Sequence, residues 1–240
     1  MIGCRCGVCR SDDPRDRRTR TSALFSVGER RILVDTAPEL RLQCLACDVT
    51  RVDAVLFTHT HADHVTGLDD VRRFNDLHGG ELPVYGTPET LARLRRMFDY
   101  AFEDDPTYPS AKPRLRGVPI DGPFEVFGHR VVPLPYDHGP TRVTGFRIGR
   151  AAYCPDCNFI PDATRERLAD LDVLVLNALR RRPHPTHFTL EEAVAEARRI
   201  GARRTFFTHI AHELPHAATC AELPGGMALA HDGLVLDVGE

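Results

Sequence analysis

The stretch "THTHADHVTGLDD" (residues 58–70) directly continues an apolar run, "VDAVLFT" (52–58), and sets His59, His61, Asp63 and His64 within six residues. A short apolar run bounded by polar residues reads as a buried strand. Where such a strand opens into a loop, alternating side chains can point to one side, and imidazoles with a carboxylate are the donors that hold Zn²⁺, Mn²⁺ or Fe²⁺. Two ions can share one segment this rich in donors. A merely polar surface loop has no need of four ligands immediately after a buried strand.

Outward from this segment, β-type stretches recur at "TSALFSV", "RILVD", "LPVYG", "HRVVPLP", "VTGFRIG", "AAYC", "DVLVL", "RTFFT" and "LVLDV". Helix-like segments lie between them: "PELRLQCLAC", "VTGLDDVRRFNDL", "PETLARLRRMF", "PDATRERLADL" and "TLEEAVAEARRIG". The last carries a capping-box spacing at Thr189 and Glu192 and a stop at Gly201. Alternating strands and helices predict a layered α/β (α+β) domain with sheets covered by helices. The stretch from Asp99 to Pro119 has four prolines and no periodicity, and reads as a loop, either a lid or a surface insertion.

At 240 residues the expectation is one domain spanning 1–240. The balance of 31 basic against 34 acidic side chains, net −3, gives no global attraction for nucleic acid or an anionic membrane, so an anionic substrate must be held locally. No apolar run exceeds strand length and no basic-then-apolar leader is present, which predicts a soluble, cytoplasmic protein without a membrane partner. Eight cysteines are too few for a disulfide scaffold, and in a reducing compartment metal binding outranks disulfides. Cys4, Cys6 and Cys9 in "GCRCGVC" suit one tetrahedral ion but leave it a ligand short.

"THTHADHVTGLDD" resembles the HxHxDH signature of metallo-β-lactamase-fold hydrolases, and the resemblance extends over essentially the whole chain. It implies an αββα sandwich and a dinuclear site. By that resemblance His59, His61 and His138 hold one metal, Asp63, His64 and His209 the other, and Asp156 bridges them. Within the superfamily, the C-x-C-x2-C segment is similar to that of the phosphoribosyl cyclic phosphodiesterases of phosphonate breakdown. There a histidine after the last active-site ligand completes a structural zinc, which here implies Cys4, Cys6, Cys9 and His212. The family's segment follows a first strand that looks absent before Met1.

The same resemblance assigns His187, in "PHPTHFTLEEA", to contact the phosphate and to protonate or stabilise the leaving alkoxide, with His184 as its rival. Arg180, Arg181 and Arg182 are either ligands for a second substrate phosphate or solvated loop side chains. Cys44 with Cys47 and Cys154 with Cys157 are either a further zinc or redox set or, on balance, small buried hydrophobes; Cys220 has no assigned role.

The expected activity is dinuclear, metal-dependent hydrolysis of a small cyclic phosphodiester such as a ribosyl 1,2-cyclic phosphate, with hydroxide shared between two Mn²⁺ or Zn²⁺ ions as the nucleophile and Asp63 and Asp156 in the catalytic set. Alternatives are a thioester or lactone hydrolase, a pyrroloquinoline quinone biosynthesis-like protein, and a metal-binding scaffold with little activity. A tRNA-processing nuclease would need a basic RNA-gripping arm, which neither the charge balance nor "FEDDP" supplies. Association into a homodimer is compatible with the sequence.

Overall fold

Strand pairing begins where the sequence alternates. Strands β1 (Ala23–Val27) and β2 (Arg30–Val34) form an antiparallel hairpin turned at Gly28, whose φ of 56° favours glycine. The structure is a computed structural model that describes residues 1–105 and 107–239. It divides into two compact units, Arg20–Arg130 and Met1–Thr19 with Val131–Glu240.

In the 20–130 unit the hairpin leads through α1 (Leu40–Ala46) to β3 (Ala54–Leu56), then α2 (Ala62–Val65), a 3₁₀ turn at Leu68–Val71 and α3 (Arg72–His78). After these come β4 (Leu82–Gly86), α4 (Pro88–Met97), α5 (Asp99–Phe102), β5 (Leu115–Pro119) and β6 (Phe124–Val126). The sheet order is β1-β2-β3-β4-β5, with β2 to β5 parallel. All of β3 is buried, as its unbroken apolar sequence requires of an inner parallel strand. Leu33, Val55, Phe57, Val65, Leu68 and Leu94 form this unit's core.

Two expectations change here. The helix expected over "VTGLDDVRRFNDL" is broken, because Gly67 packs against the backbone after β2: a Cβ there would lie 2.0 Å from the Ala37 carbonyl oxygen. Its N–H donates to Thr36 O (3.0 Å), and Thr36 N–H donates to His64 O (2.8 Å), so backbone contacts override the helical pattern. The stretch from Asp99 to Pro119 is not all loop. It opens with α5 and closes with β5, which gains a parallel partner in β4 and ends in Pro119 at the sheet edge, where proline is tolerated. Pro106, in the same stretch, lies outside the described residues.

The other unit is built from β7 (His129–His138), β8 (Thr141–Ile148), β9 (Ala151–Cys154), α6 (Asp162–Glu166), β10 (Val173–Asn177), α7 (Leu190–Ile200), β11 (Arg204–Thr208), α8 (His216–Glu222) and β12 (Met227–Leu229). Its strands lie in the order β12-β11-β10-β9-β8-β7. The first four of these are mutually parallel, and β8 is antiparallel to both its neighbours. The Thr189–Glu192 capping box starts α7, and Gly201 ends it at φ 72°. Leu134, Tyr136, Leu174, Leu176, Ala193 and Phe207 are among its core residues. The expected strand "LVLDV" does not form: β12 occupies the edge of β11, and Val235 stands 84% exposed with no ladder to bury it. Helix α8 was not expected from the sequence; its buried side chains include His216 and Thr219, which carry no apolar pattern.

Candidate metal centres

The chemistry-bearing residues sit at the carboxyl ends of parallel strands. In the 20–130 unit these ends are Asp35 after β2, and Thr58 with His59 after β3. Asp35 is fully buried, with φ 61°. Its Oδ1 accepts the Thr58 N–H (2.8 Å), and its Oδ2 accepts the Thr58 hydroxyl (2.8 Å) and lies 2.8 Å from His64 Nδ1. Burial raises the Asp35 pKa, while His64 and the Thr58 donors oppose the rise.

These contacts assign the imidazole tautomers. A carboxylate only accepts, so His64 carries its proton on Nδ1. The Thr58 hydroxyl gives its one hydrogen to Asp35 and therefore accepts from His59 Nδ1, 2.9 Å away. Both rings thus keep the lone pair on Nε2, the form that ligates a metal. The His59 ring lies 4.5 Å from that of His61 and 4.4 Å from that of His64, and Asp63 Oδ2 is 3.6 Å from His64 Nε2.

In the other unit, Asp156 follows β9, Asn177 ends β10 and His209 follows β11, three adjacent parallel strands, while His138 ends β7. Asp156 and His209 both have left-handed backbones, φ 46° and 56°. Non-glycine residues held this way carry strain of about 1–3 kcal/mol, which such sites tolerate for the sake of side-chain direction. The two Asp156 oxygens face different histidines: Oδ1 is 2.9 Å from His209 Nε2 and Oδ2 is 3.7 Å from His138 Nε2. His138 donates Nδ1–H to the Thr186 carbonyl (2.7 Å), which again leaves its lone pair on Nε2.

His187 is buried between these groups, its ring 4.5 Å from that of His138, 4.8 Å from His209 and 4.9 Å from His184. Asn177 Oδ1 accepts the Cys157 and Phe188 N–H groups (3.2 Å each), which fixes it as the oxygen, and it lies 3.3 Å from His187 Nδ1. Burial first, then the neighbouring His209, pushes the His187 pKa down to about 3.

The same unit contains the cysteine cluster. One ligand atom each from Cys4, Cys6, Cys9 and His212 lie within 4.8 Å of one another. His212 Nδ1 is 3.4 Å from Cys4 Sγ and 3.3 Å from Cys6 Sγ. Tetrahedral zinc with its usual bond lengths separates sulfur and nitrogen ligands by roughly 3.5 Å, close to the two distances from His212 to Cys4 and Cys6. The Cys9 backbone N–H, then His212, lowers the Cys6 thiol to about 6, which favours the thiolate a metal needs. Arg18 ties the segment to the His212 loop by donating to Ala211 O (3.1 Å) and Leu214 O (2.7 Å).

The remaining cysteines do not join a cluster among the described residues. Burial raises the Cys154 and Cys157 pKa values and takes Cys44 to about 11, which marks neutral, packed thiols. Cys220 accepts the Leu229 N–H (3.3 Å). Arg181 pairs with Glu222, and Arg182 with Glu213 (2.7 Å). Asp35, Thr58 and Asn177 are absent from the sequence-derived site. Their signal was present all the same, as polar residues at the carboxyl ends of the apolar strands "RILV", "AVL" and "VLVL".

Strand-end donors, metal-type tautomers and two sheets flanked by helices define the metallo-β-lactamase fold of metal-dependent hydrolases. The family model described as the beta-lactamase superfamily domain matches residues 30–210, and the chain belongs to that superfamily, in its PhnP family. A crystal structure of a new diphosphatase from the PhnP family is 42% identical, with TM-score 0.90, over 98% of this chain and 89% of that one. The octanoyltransferase of Porphyromonas gingivalis is 37% identical over 242 residues, all of this chain but 49% of the relative; the chain spans about half its length. Coenzyme PQQ synthesis protein B of Methylobacterium nodulans is 29% identical over 205 residues, 72% of this chain and 66% of that protein. Among the described residues no helix is long and apolar enough to cross a membrane.

Proposed function

We propose that residues 1–240 act as one dinuclear metal phosphodiesterase domain, with a small cyclic phosphodiester such as a ribosyl 1,2-cyclic phosphate as substrate. His59, His61 and His138 hold one divalent ion, Asp63, His64 and His209 the other, and Asp156 bridges. Mn²⁺ and Zn²⁺ both suit these donors. Cys4, Cys6, Cys9 and His212 hold a structural zinc. When bound, the catalytic pair supplies an activated water and neutralises phosphate charge.

The observation that carries this reading is Asp156, whose two oxygens each face a different histidine. Family membership and the 42% identical diphosphatase support a phosphoanhydride or phosphodiester substrate. His187 contacts the phosphate. Its Nδ1–H is directed to Asn177, so Nε2 is the atom available to take up a proton and pass it to the leaving oxygen. A phosphate anion against Nε2 favours the imidazolium needed for that donation.

The test is hydrolysis of bis(p-nitrophenyl) phosphate beside a p-nitrothiophenyl thioester by protein reconstituted with Mn²⁺ or Zn²⁺, with Asp63→Ala as control. Metal-dependent diester cleavage that the control loses is the expected result. His187→Ala should cut turnover about 10²–10⁴-fold with its metal content intact. An acyl thioester is the second reading, supported by the octanoyltransferase relative. Turnover of the thioester alone would establish it instead.

A further inference from the structure

The proposed ligands His138 and Asp156 and the proposed phosphate contact His187 come from three separate segments: the end of β7, the turn after β9 and the loop before α7. One side-chain amide joins all three. Asn158 lies two residues after Asp156 and is half-buried. Its Oδ1 accepts the Gly139 N–H (2.7 Å), and its Nδ2 donates to the Pro185 carbonyl (3.3 Å). These partners fix the orientation of the amide, since an N–H only donates and a carbonyl only accepts. The backbone beneath it is held as well: Asn158 N–H donates to Asp137 O (3.0 Å), and Asp137 N–H donates to Phe159 O (3.0 Å).

Gly139 follows His138, and Pro185 precedes Thr186, whose carbonyl accepts the His138 Nδ1–H (2.7 Å). The bonds therefore close a ring. It runs from the His138 imidazole to Thr186, through Pro185 to the Asn158 amide, and through Gly139 back to the His138 backbone. Gly139 has φ 60°, and a Cβ there would lie 2.5 Å from Thr186 Cγ2, so the loop is drawn close against the residue after the ligand. A second tie between the same two loops, Phe188 N–H to Cys157 O (2.7 Å), does not involve the amide. Removing the Asn158 side chain thus leaves the loops joined and releases Pro185 and Thr186, the stretch that presents a carbonyl to His138.

We infer that Asn158 is a positioning residue for the metal centre. It holds the Thr186 carbonyl on His138 Nδ1, and so keeps His138 Nε2 directed to the ion it shares with Asp156. This rests on the dinuclear reading above. His138 belongs to one of the two proposed ion sites, so the effect of Asn158 is confined to that ion, while Asp63, His64 and His209 hold the other.

The test is Mn²⁺ titration of chelator-treated protein, followed by the EPR signal of the free ion, for wild type, Asn158→Ala, Asn158→Asp and, as a control on the same segment, Phe159→Ala. Wild type should take up two ions per chain. Asn158→Ala should weaken one of them about 10–100-fold, the usual cost of losing a ligand's outer hydrogen-bond partner, and leave the other ion and Tm near wild type. Asn158→Asp keeps an acceptor for Gly139 but sets an oxygen against the Pro185 carbonyl, so it should weaken the same ion at least as much. Phe159 stands 54% exposed and serves the frame through its backbone, so its alanine variant should bind as wild type does. In zinc-loaded protein with ¹⁵N-labelled histidine, the His138 Nδ1–H resonance, assigned by its absence in His138→Gln, should be present in wild type and lost to solvent exchange in Asn158→Ala. Asn158→Ala binding both ions as tightly as wild type, or losing both together with Tm, overturns the inference while the dinuclear reading stands. Asn158→Asp indistinguishable from wild type does the same. Wild type that takes up fewer than two ions overturns the dinuclear reading and the inference with it.

Discussion

Asp35 Oδ2 lies 2.8 Å from His64 Nδ1, joining the end of β2 to the first turn of α2 across 29 residues of chain. The carboxylate sets the tautomer of one proposed ligand directly and, through the Thr58 hydroxyl, that of His59 as well. Asp35→Asn keeps the shape but offers an N–H in place of one acceptor. Metal affinity at the His/Asp site should fall about 10–100-fold, as for other losses of a ligand's hydrogen-bond partner. Metal titration of the apo-protein reads this out, and an affinity equal to wild type would remove Asp35 from the role.

Cys6→Ser should lower the zinc content by one equivalent per chain and lower Tm, because the ties from residues 4–9 to His212 run through these side chains. Elemental analysis beside thermal denaturation checks it. Full zinc content at an unchanged Tm would exclude the Cys₃His assignment.

Gly67→Ala drives a methyl group to within 2.0 Å of the Ala37 carbonyl oxygen, which belongs to the backbone and cannot rotate away. A loss of about 1–3 kcal/mol in urea unfolding is expected. Gly79→Ala offers a comparison, since its Cβ would meet nothing within 4 Å and only its φ of 73° counts against it.

Asp53 gives a pH dependence with a definite sign. Burial alone would raise its pKa, but the Arg51 fork (2.7 Å to Oδ1), the Arg31 N–H (2.8 Å) and Arg30 (2.9 Å) bring it down to about 2. A depressed carboxylate contributes stability that is complete above its unfolded pKa of about 3.9 and vanishes as pH falls through the folded value. With the arginines 40% and 45% exposed, screening reduces the contribution to about 1 kcal/mol. Asp53→Asn should therefore be less stable than wild type at pH 7, and the gap should close between pH 4 and pH 2. A gap that is constant with pH would show that the arginines do not act on the ionised form.

Much of the candidate donor set was legible along the chain because side-chain identity is a local property: "HTHADH" needs only a strand ending in a loop. The capping box at Thr189 and Glu192 was legible for the same reason. The C-terminal end of the chain was read less well. "LVLDV" has a strand's composition, yet β12 forms instead at Met227–Leu229, since strand formation depends on which segment reaches the edge of β11.

By itself, then, the sequence determined the donor types, their order and the apolar strands that carry them. The tertiary structure alone decided the proton on each imidazole. His184 and His187 are the same residue three positions apart, but one accepts from the Thr186 N–H and the other faces the Asn177 carbonyl oxygen, so their ring protons lie on opposite nitrogens. It likewise left Arg180 as the arginine of its triplet without a carboxylate among the described residues, because Glu213 and Glu222 come from distant stretches of chain to meet its neighbours. Side-chain identity is written residue by residue; a hydrogen-bond partner distant in the chain exists only once folding has brought two segments together.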